Sequence, residues 1–352
     1  LPTNLWSSIK KNRENVIKWV IWVVIGFGLI WGIYQGGPQP IVDGIRFGSI
    51  LMLGAIGLTL TYKILNFSNF SHGDILIFGA YVALSANQLT VGLLPQIFPA
   101  LSDPANDDLL RWSAIFIAMF AGVAGSIGIS LLIDRILYRR LRRSAAVVLV
   151  IASFGMALFI RALIQALWGV ANQRYAVRVT GPMYLDVFGI FQLRITTLQL
   201  VTIISAFALI IALHLFLKYT RMGKAMRAMS DNMDLARVSG INTEKIIRWT
   251  WAIGAGLAAI AGVFSGLNLG GMTPTLGADL LLSLFAAVIL GGIGSPYGAM
   301  LGALVIGTAQ TILIAPVTSI STQYKPGIAF LLMIIMLLVR PQGLLGSAGR
   351  KG

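Results

Sequence analysis

The side chains with the most chemistry to offer are crowded into one run, Asn66-Phe-Ser-Asn-Phe-Ser-His-Gly-Asp74. Two amides, two hydroxyls, an imidazole and a carboxylate stand together there. Such a set gives and takes hydrogen bonds; it does not pair a nucleophile with a base. The run joins two apolar stretches, and polar backbone at membrane depth is tolerated only where it is buried in protein or lines a wet cavity. Its backbone groups and the helix N-terminus that follows could meet a zwitterion. Asp74 also stands where it could cap that helix. A second polar break, Asn268 to Asp279, contains Gly270, Gly271, Thr273, Pro274, Thr275 and Gly277. It repeats the order of the first: apolar stretch, Gly-containing break, acid, apolar stretch. Corresponding interruptions in two halves of a chain point to a transport site. The candidate path residues are therefore Asn66, Ser68, Asn69, His72, Gly73, Asp74, Asn268, Thr273 and Asp279.

Much other chemistry is missing. There is no cysteine, and the only histidines are His72 and His214. That excludes disulfides, thiolate nucleophiles and His-rich metal sites. Neither His-Glu-x-x-His nor Gly-x-Ser-x-Gly occurs, which argues against an intramembrane enzyme. The nearest approach to a phosphate loop is Gly302-Ala-Leu-Val-Ile-Gly307-Thr308, which lacks the phosphate-binding lysine. If ATP drives this protein, another subunit binds it. The remaining ionisable residues in or beside apolar stretches are Asp43, Arg46, Arg161 and His214, with Arg161 the deepest. No Glu falls in an expected span, which weakens a proton relay.

The elements that must position these groups are legible from composition. The chain has 352 residues, 57% of them hydrophobic and only 11% charged, with a mean hydropathy of +0.84. Soluble domains carry about 25% charged residues. An ordinary soluble enzyme and an intrinsically disordered chain are both excluded, and an all-α polytopic membrane protein remains. Spans of about 20 apolar residues are expected at Val16–Tyr34, Ile45–Leu65, Ile75–Leu93, Trp112–Ile133, Ala146–Trp168, Leu198–Leu217 and Trp249–Leu269. The Gly-broken last third divides into Leu280–Ile293, Tyr297–Ile314 and Ile328–Val339. These are short, so half-helices or re-entrant segments are expected, and the total is eight to ten transmembrane helices. Residues 1–44 read as a cytoplasmic tail and anchor helix, 45–346 as the transport domain and 347–352 as a cytoplasmic tail. Gly262-x3-Gly266-x3-Gly270 and Gly294-x3-Gly298-x3-Gly302 read as helix-packing seams.

Charge sets the orientation. The net charge is +15, from 27 Lys and Arg against 12 Asp and Glu. Nucleic acid is one partner for such a charge, but here most of the basic residues sort to one side of the alternating spans. The loop 94–111 on the other side carries Asp103, Asp107 and Asp108. Basic loops stay in the cytoplasm, which places both termini inside. Asp134–Ser144 reads as a short basic turn anchoring this topology. Lys218–Arg248 is the longest inner connection. Met222, Ala225, Met226 and Met229 recur there at helical spacing, as do Leu235, Val238 and Ile241, with a break at Gly240. That pattern suits a surface helix pair that either lies on the bilayer or offers Met and Leu to a partner.

Four motifs carry a resemblance. Asn69-Phe-Ser-His-Gly-Asp74 resembles the Asn-Phe-Ala-His-Gly-Glu motif of the branched-chain amino acid ABC transporter permeases, in particular the LivH type. Leu290-Gly-Gly-Ile-Gly-Ser295 followed by Gly298-Ala299 is similar to the family's Gly-Gly-(Met/Ile)-Gly-Ser segment. Ala236-Arg-Val-Ser-Gly-Ile-Asn242 resembles its inner loop, and Arg340-Pro-Gln-Gly-Leu-Leu-Gly346 its C-terminal signature. The resemblance spans about residues 45–346. Ser71 and Asp74 replace the family's Ala and Glu, residues 1–44 are longer than the pattern, and Pro95–Arg111 looks like an insertion.

The resemblance implies an importer subunit of the bacterial inner (plasma) membrane, with no cofactor of its own. Two ATP-binding-cassette ATPase subunits would bind the ATP. A second permease of the LivM type, or a second copy, would complete the path. A periplasmic or lipid-anchored binding protein would deliver a neutral amino acid. Asn69, His72, Gly73 and Asp74 carry over as the core motif, and Gly240, Ile241 and Asn242 as the loop. Met226, Leu235 and Ala236 join the loop as the ATPase-coupling surface. Similar motifs occur in permeases for urea or short amides, and a stand-alone channel or ion-coupled carrier is the reading from another class.

Overall fold

From Gln39 to Leu65 the chain is almost entirely small or aliphatic, and both flanks of that helix are buried by its neighbours. The computed structural model describes residues 34, 37–103, 106–142, 144–177, 181–187, 191–314 and 324–345. The expected anchor Val16–Tyr34, apart from Tyr34, and the tail 347–352 lie outside them. The helices are α1 (Gln39–Leu65), α2 (His72–Ile97), α3 (Asp107–Ile133), α4 (Ala146–Trp168), α5 (Thr197–Tyr219), α6 (Arg221–Asp231), α7 (Met233–Val238), α8 (Thr243–Asn268), α9 (Leu276–Gly291), α10 (Pro296–Ile312) and α11 (Lys325–Val339). Among the described residues, six stretches are long and apolar enough to cross a membrane: α1, α2, α3 with its extension to Leu141, α4, α5 and α8. The chain is an all-α polytopic membrane protein.

Helices α1 and α8 form the centre, with α2, α9 and α10 packed on them. The contacts are made backbone to backbone through small residues, as lipid-embedded helices require. Gly57 of α1 faces the Gly254 carbonyl of α8, Gly48 faces Leu304 and Gly307 of α10, and Gly298 of α10 meets Gly291 of α9. Helices α3, α4 and α5 lie outside this core and leave large apolar side chains exposed, among them Phe120, Ile151, Phe159 and Ile211. Such faces suit lipid. Helix α9 has 16 residues and spans about 24 Å, short of the roughly 30 Å hydrocarbon core. It is one of the short apolar helices expected for the last third.

Two pieces at the ends of the bundle depart from expectation. Asp134–Ser144 is not a simple turn. Helix α3 continues through a π-wound segment, Asp134–Tyr138, and a final turn, Arg139–Leu141. The wider winding turns both Asp134 and Tyr138 inward, where they are 4% and 0% exposed. On the opposite end a hairpin, β1 (Met183–Val187) with β2 (Phe191–Ile195), pairs antiparallel with Met183 opposite Ile195. It is tied to the start of α1: Gln39 Nε2 donates to the Arg194 carbonyl at 3.0 Å, and the Arg194 amide donates back to Gln39 Oε1 at 2.9 Å.

The C-terminal signature has a structural task. After α11 the chain folds back, and the amides of Leu344 and Leu345 donate to the carbonyls of Leu290 and Gly291 at 2.8 and 2.9 Å. These carbonyls end α9 and would otherwise lack partners.

The interruptions expected in the sequence are present, and they meet. After α1 the chain reverses at Asn66, in the left-handed region at φ 56°, and climbs back along its own helix. Helix α2 begins beside Gly54 and Gly57, about 16 Å back from the end of α1. Helix α9 begins after the second break. Gly73 and Gly277 each hold the second position of their helix, and a Cβ on either would strike the carbonyl of the other. Gly73→Val is therefore expected to destabilise the fold by about 3 kcal/mol, the upper range for overpacking, because backbone cannot move aside as a side chain can. Gly92→Val, where a Cβ meets nothing within 4 Å, is expected to be neutral. The yield and melting temperature of monodisperse protein check both.

Candidate functional site

Most of the first polar run is engaged in holding its own geometry, although Asn69 Nδ2 is buried without a partner and Asn66 is exposed. Asn69 is 0% exposed. Its Oδ1 accepts from the Ser71 amide at 3.1 Å, the Ser71 hydroxyl at 2.7 Å and the Tyr138 hydroxyl at 3.2 Å. Tyr138 stacks on Trp251 with ring centroids 5.2 Å apart. Trp251 Nε1 donates to Asp134 at 3.0 Å, and Arg142 grips the same carboxylate at 2.7 and 2.8 Å. A chain of contacts thus links the start of α2 to the π-wound segment and α8.

His72 is buried, with Nε2 3.0 Å from the Gly54 carbonyl. A carbonyl only accepts, so Nε2 carries the proton. Asp74 is 0% exposed and receives two bonds from Arg161 of α4, Nε to Oδ1 at 3.0 Å and Nη2 to Oδ2 at 3.2 Å. Two ionisable residues read separately in the sequence are one bidentate ion pair. No side-chain cap is made at the N-cap of α2. Asn66 lies instead on a cavity at the end of α1, and Ser68 is half-buried.

The second break opens onto a cavity of about 150 Å³. Asn268 and Asp279 line it, joined by Arg46 of α1, Lys325 of α11, and Ser265 and Ser283. Phe47, Ile50, Leu276 and Leu280 supply an apolar wall. Thr273 is not on it; its hydroxyl lies 3.1 Å from that of Thr275. Arg46 Nη1 donates to Asn268 Oδ1 at 3.4 Å, and its Nη2 is 3.7 Å from Asp43. Asn268 Nδ2 donates to Thr202 of α5 at 3.0 Å and to the Phe264 carbonyl at 2.8 Å. Gln199 caps α5 through Thr196 and donates to Asp43 at 3.0 Å. Gln310 of α10 donates to Ser283 Oγ and to the Lys325 carbonyl.

Hydrogen-bonding capacity is left over at this cavity. Among the described residues, Arg46 Nε and Ser265 Oγ on its lining are buried without a partner, as is Gln310 Oε1 beside it, behind Ser283 and Lys325. Asp279 and Lys325 make no ion pair there among the described residues. An unmade bond at a buried polar atom costs about 1–3 kcal/mol. The cavity thus holds a carboxylate and two cations around an apolar pocket. Lys325, Ser265, Ser283 and Gln310 were not singled out in the sequence. A glutamine in the middle of the apolar stretch Tyr297–Ile314 was the available signal.

The connection Lys218–Arg248 divides differently from its periodicity. Met226, Met229 and Ala236 are 2%, 2% and 4% exposed, turned into the bundle. Leu235 and Val238 are 62% and 80% exposed. Gly240 takes φ +81° and lets the Ile241 amide return to the Ala236 carbonyl. Asn242 then caps α8 through the Lys245 amide at 3.0 Å. Ala236–Asn242 is a turn-and-cap unit.

Comparison with known proteins agrees with this architecture. Residues 41–337 match the family model described as "Branched-chain amino acid transport system / permease component". The chain is 35% identical over 309 residues to the high-affinity branched-chain amino acid transport system permease protein LivH of Salmonella typhimurium, covering 88% of this chain and 95% of that protein. It is 34% identical over 312 residues to LivH of Escherichia coli, again covering 88% and 95%. It is 32% identical over 308 residues to BraD of Pseudomonas aeruginosa, with the same coverage. No solved structure matches the chain.

The buried ion pair gives a direct test of the scaffold. Arg161→Gln strands Asp74 without its cation and is expected to cost about 3–5 kcal/mol. Asp74→Asn combined with Arg161→Gln is expected to recover most of that loss. Thermal unfolding of the single and double variants in detergent measures it; additive losses would show that the pair is not coupled.

Proposed function

The chain belongs to the family of permease components of branched-chain amino acid transport systems, and from that premise we propose that it forms the translocation path for branched-chain or other neutral amino acids in an ATP-binding-cassette importer. The observation that carries the substrate reading is the Arg46–Asn268–Asp279–Lys325 cavity. A zwitterion needs a cation for its carboxylate and an anion for its ammonium. Arg46 and Lys325 supply the first and Asp279 the second. Phe47, Ile50 and Leu280 suit an aliphatic side chain. A volume near 150 Å³ is of the size that admits a benzene molecule in an apolar cavity. A urea-sized solute has neither the charge pair nor the apolar arm that this lining would meet.

In this reading the permease sits in a bacterial plasma membrane with both termini inside. Ser68 and Thr273 flank the breaks without forming the site, and Asn69, His72, Gly73 and Asp74 set its frame. Two ATPase subunits meet the inner face, a second permease or second copy completes the path, and an external binding protein delivers the substrate. Leu235 and Val238, exposed beside the cap at Asn242, are the apolar side chains an ATPase would contact, while Met226 supports them from within.

Arg46→Ala and Asp279→Asn are expected to raise the leucine concentration for half-maximal uptake by about tenfold to a hundredfold, the loss of one hydrogen bond to a charged group. Radiolabelled uptake in cells, at matched membrane abundance and with leucine, alanine and urea as competitors, measures this. Unchanged uptake by both variants would sink the cavity assignment. Leu235→Asp is expected to reduce recovery of the ATPase with the tagged permease several-fold while leaving permease yield intact. Undiminished co-purification would remove α7 from the docking surface.

A further inference from the structure

A second and larger cavity, about 710 Å³, lies at the other end of the bundle. Its wall is apolar: Ile64 and Leu65 end α1, Leu149 begins α4, and Ile247 begins α8. Its rim is basic: Arg139, Arg140 and Arg142 follow the π-wound segment, and Arg237 comes from α7. The hydroxyl-bearing residues Ser144 and Thr243 complete the rim. Glu244 is the acid on this lining, and Asp134 lies buried behind it.

The acids do not neutralise the arginines. Arg142 holds Asp134 and Glu244, and Arg139 reaches the same Glu244 at 3.5 Å. Among the described residues, Arg140 and Arg237 have no acid within ion-pair distance. Arg142 Nε is buried and has no hydrogen-bond partner. Two free guanidinium groups beside the positive charge of Arg142 call for a ligand that only accepts, with several oxygens and negative charge. Phosphate has that chemistry, and arginine matches it bidentately. The position also fits. The cavity lies where apolar helix ends meet the basic face of the protein, and basic pockets between membrane helices on the cytoplasmic side bind lipid headgroups.

We propose that this cavity binds a phosphate-bearing anion, with Arg140 and Arg237 as its donors, Arg142 beside them as a further positive charge, and the α1–α4–α8 wall beside its apolar portion. The proposal rests on the orientation given above only for the source of the phosphate, a lipid of the inner leaflet or a free anion. A bound anion would bridge α7 to the π-wound segment, and so join the inner surface to the network at Asn69.

The test uses the full chain in nanodiscs of phosphatidylcholine, of an equal mixture with phosphatidylglycerol, and of phosphatidylcholine with inorganic phosphate added. Hydrogen exchange over 135–142 and 233–248 is read in each. Exchange is expected to slow severalfold in the mixture if the source is lipid, or with phosphate alone if it is a soluble anion. The double variant Arg140→Gln/Arg237→Gln is expected to lose that protection. Lys224→Gln/Arg227→Gln, an equal charge change on α6, is expected to keep it. No localised protection in either arm, or full protection in the first double variant, would overturn the proposal. Neither readout involves transport, so failure here leaves the reading of the Arg46 cavity standing.

Discussion

Two helices begin inside this protein at a point where neither has room for a side chain. Gly73 and Gly277, each the second residue of its helix, lie so close that a Cβ on one meets the carbonyl of the other. The rest of the arrangement depends on that contact. It sets where α2 starts beside the middle of α1, and where the first turn of α9 stands as a wall of the cavity. Helix starts leave backbone N–H groups without intrahelical partners, which hydrocarbon cannot satisfy. Burying both starts against each other and against α1 and α8 keeps them out of lipid. The acids in the two first turns, Asp74 and Asp279, complement the positive ends of the helices.

The two breaks then part company. At the first, most of the polar side chains are bonded within the protein, Asn69 Oδ1 with Ser71 and Tyr138, His72 with Gly54, Asp74 with Arg161, while Asn69 Nδ2 is left buried without a partner. At the second, Arg46, Ser265 and Gln310 retain unused capacity around a cavity that also holds Asp279 and Lys325. A buried ion pair adds little net stability but costs several kcal/mol when one partner is lost. Asp74–Arg161 therefore acts as a latch between α2 and the lipid-facing α4. The first break is mostly committed to the scaffold, whereas the second opens onto a cavity lined by Arg46, Asp279 and Lys325.

Much of this was legible in the sequence, for a physical reason. Long apolar runs declare membrane helices because the bilayer allows few alternatives, so the spans from Ile45 to Val339 fell close to the observed helices. The breaks were legible because Asn, Gly and Asp are costly at those depths. Pairings were not. Nothing local joins Asp74 to Arg161 or Arg46 to Asn268, which meet only through packing of separate helices. The stretch Asp134–Ser144 read as a turn because arginines dominate it, while the informative residues of its π-wound start, Asp134 and Tyr138, face inward. Strands of five residues such as Phe191–Ile195 are too short for alternation to stand out. In Lys218–Arg248 periodicity identified an amphipathic face but not its direction, and Met226 and Met229 face the protein itself.

The absence of native cysteine makes the central claim measurable residue by residue. Ser265→Cys, the most conservative probe of the open valence, is labelled in the assembled transporter with a small thiol reagent, with and without leucine. The account predicts that Cys at 265 reacts and that leucine slows the reaction, whereas His72→Cys, placed in the scaffold, does not react. Labelling at 265 that leucine leaves unchanged, in a variant that still transports, would contradict it.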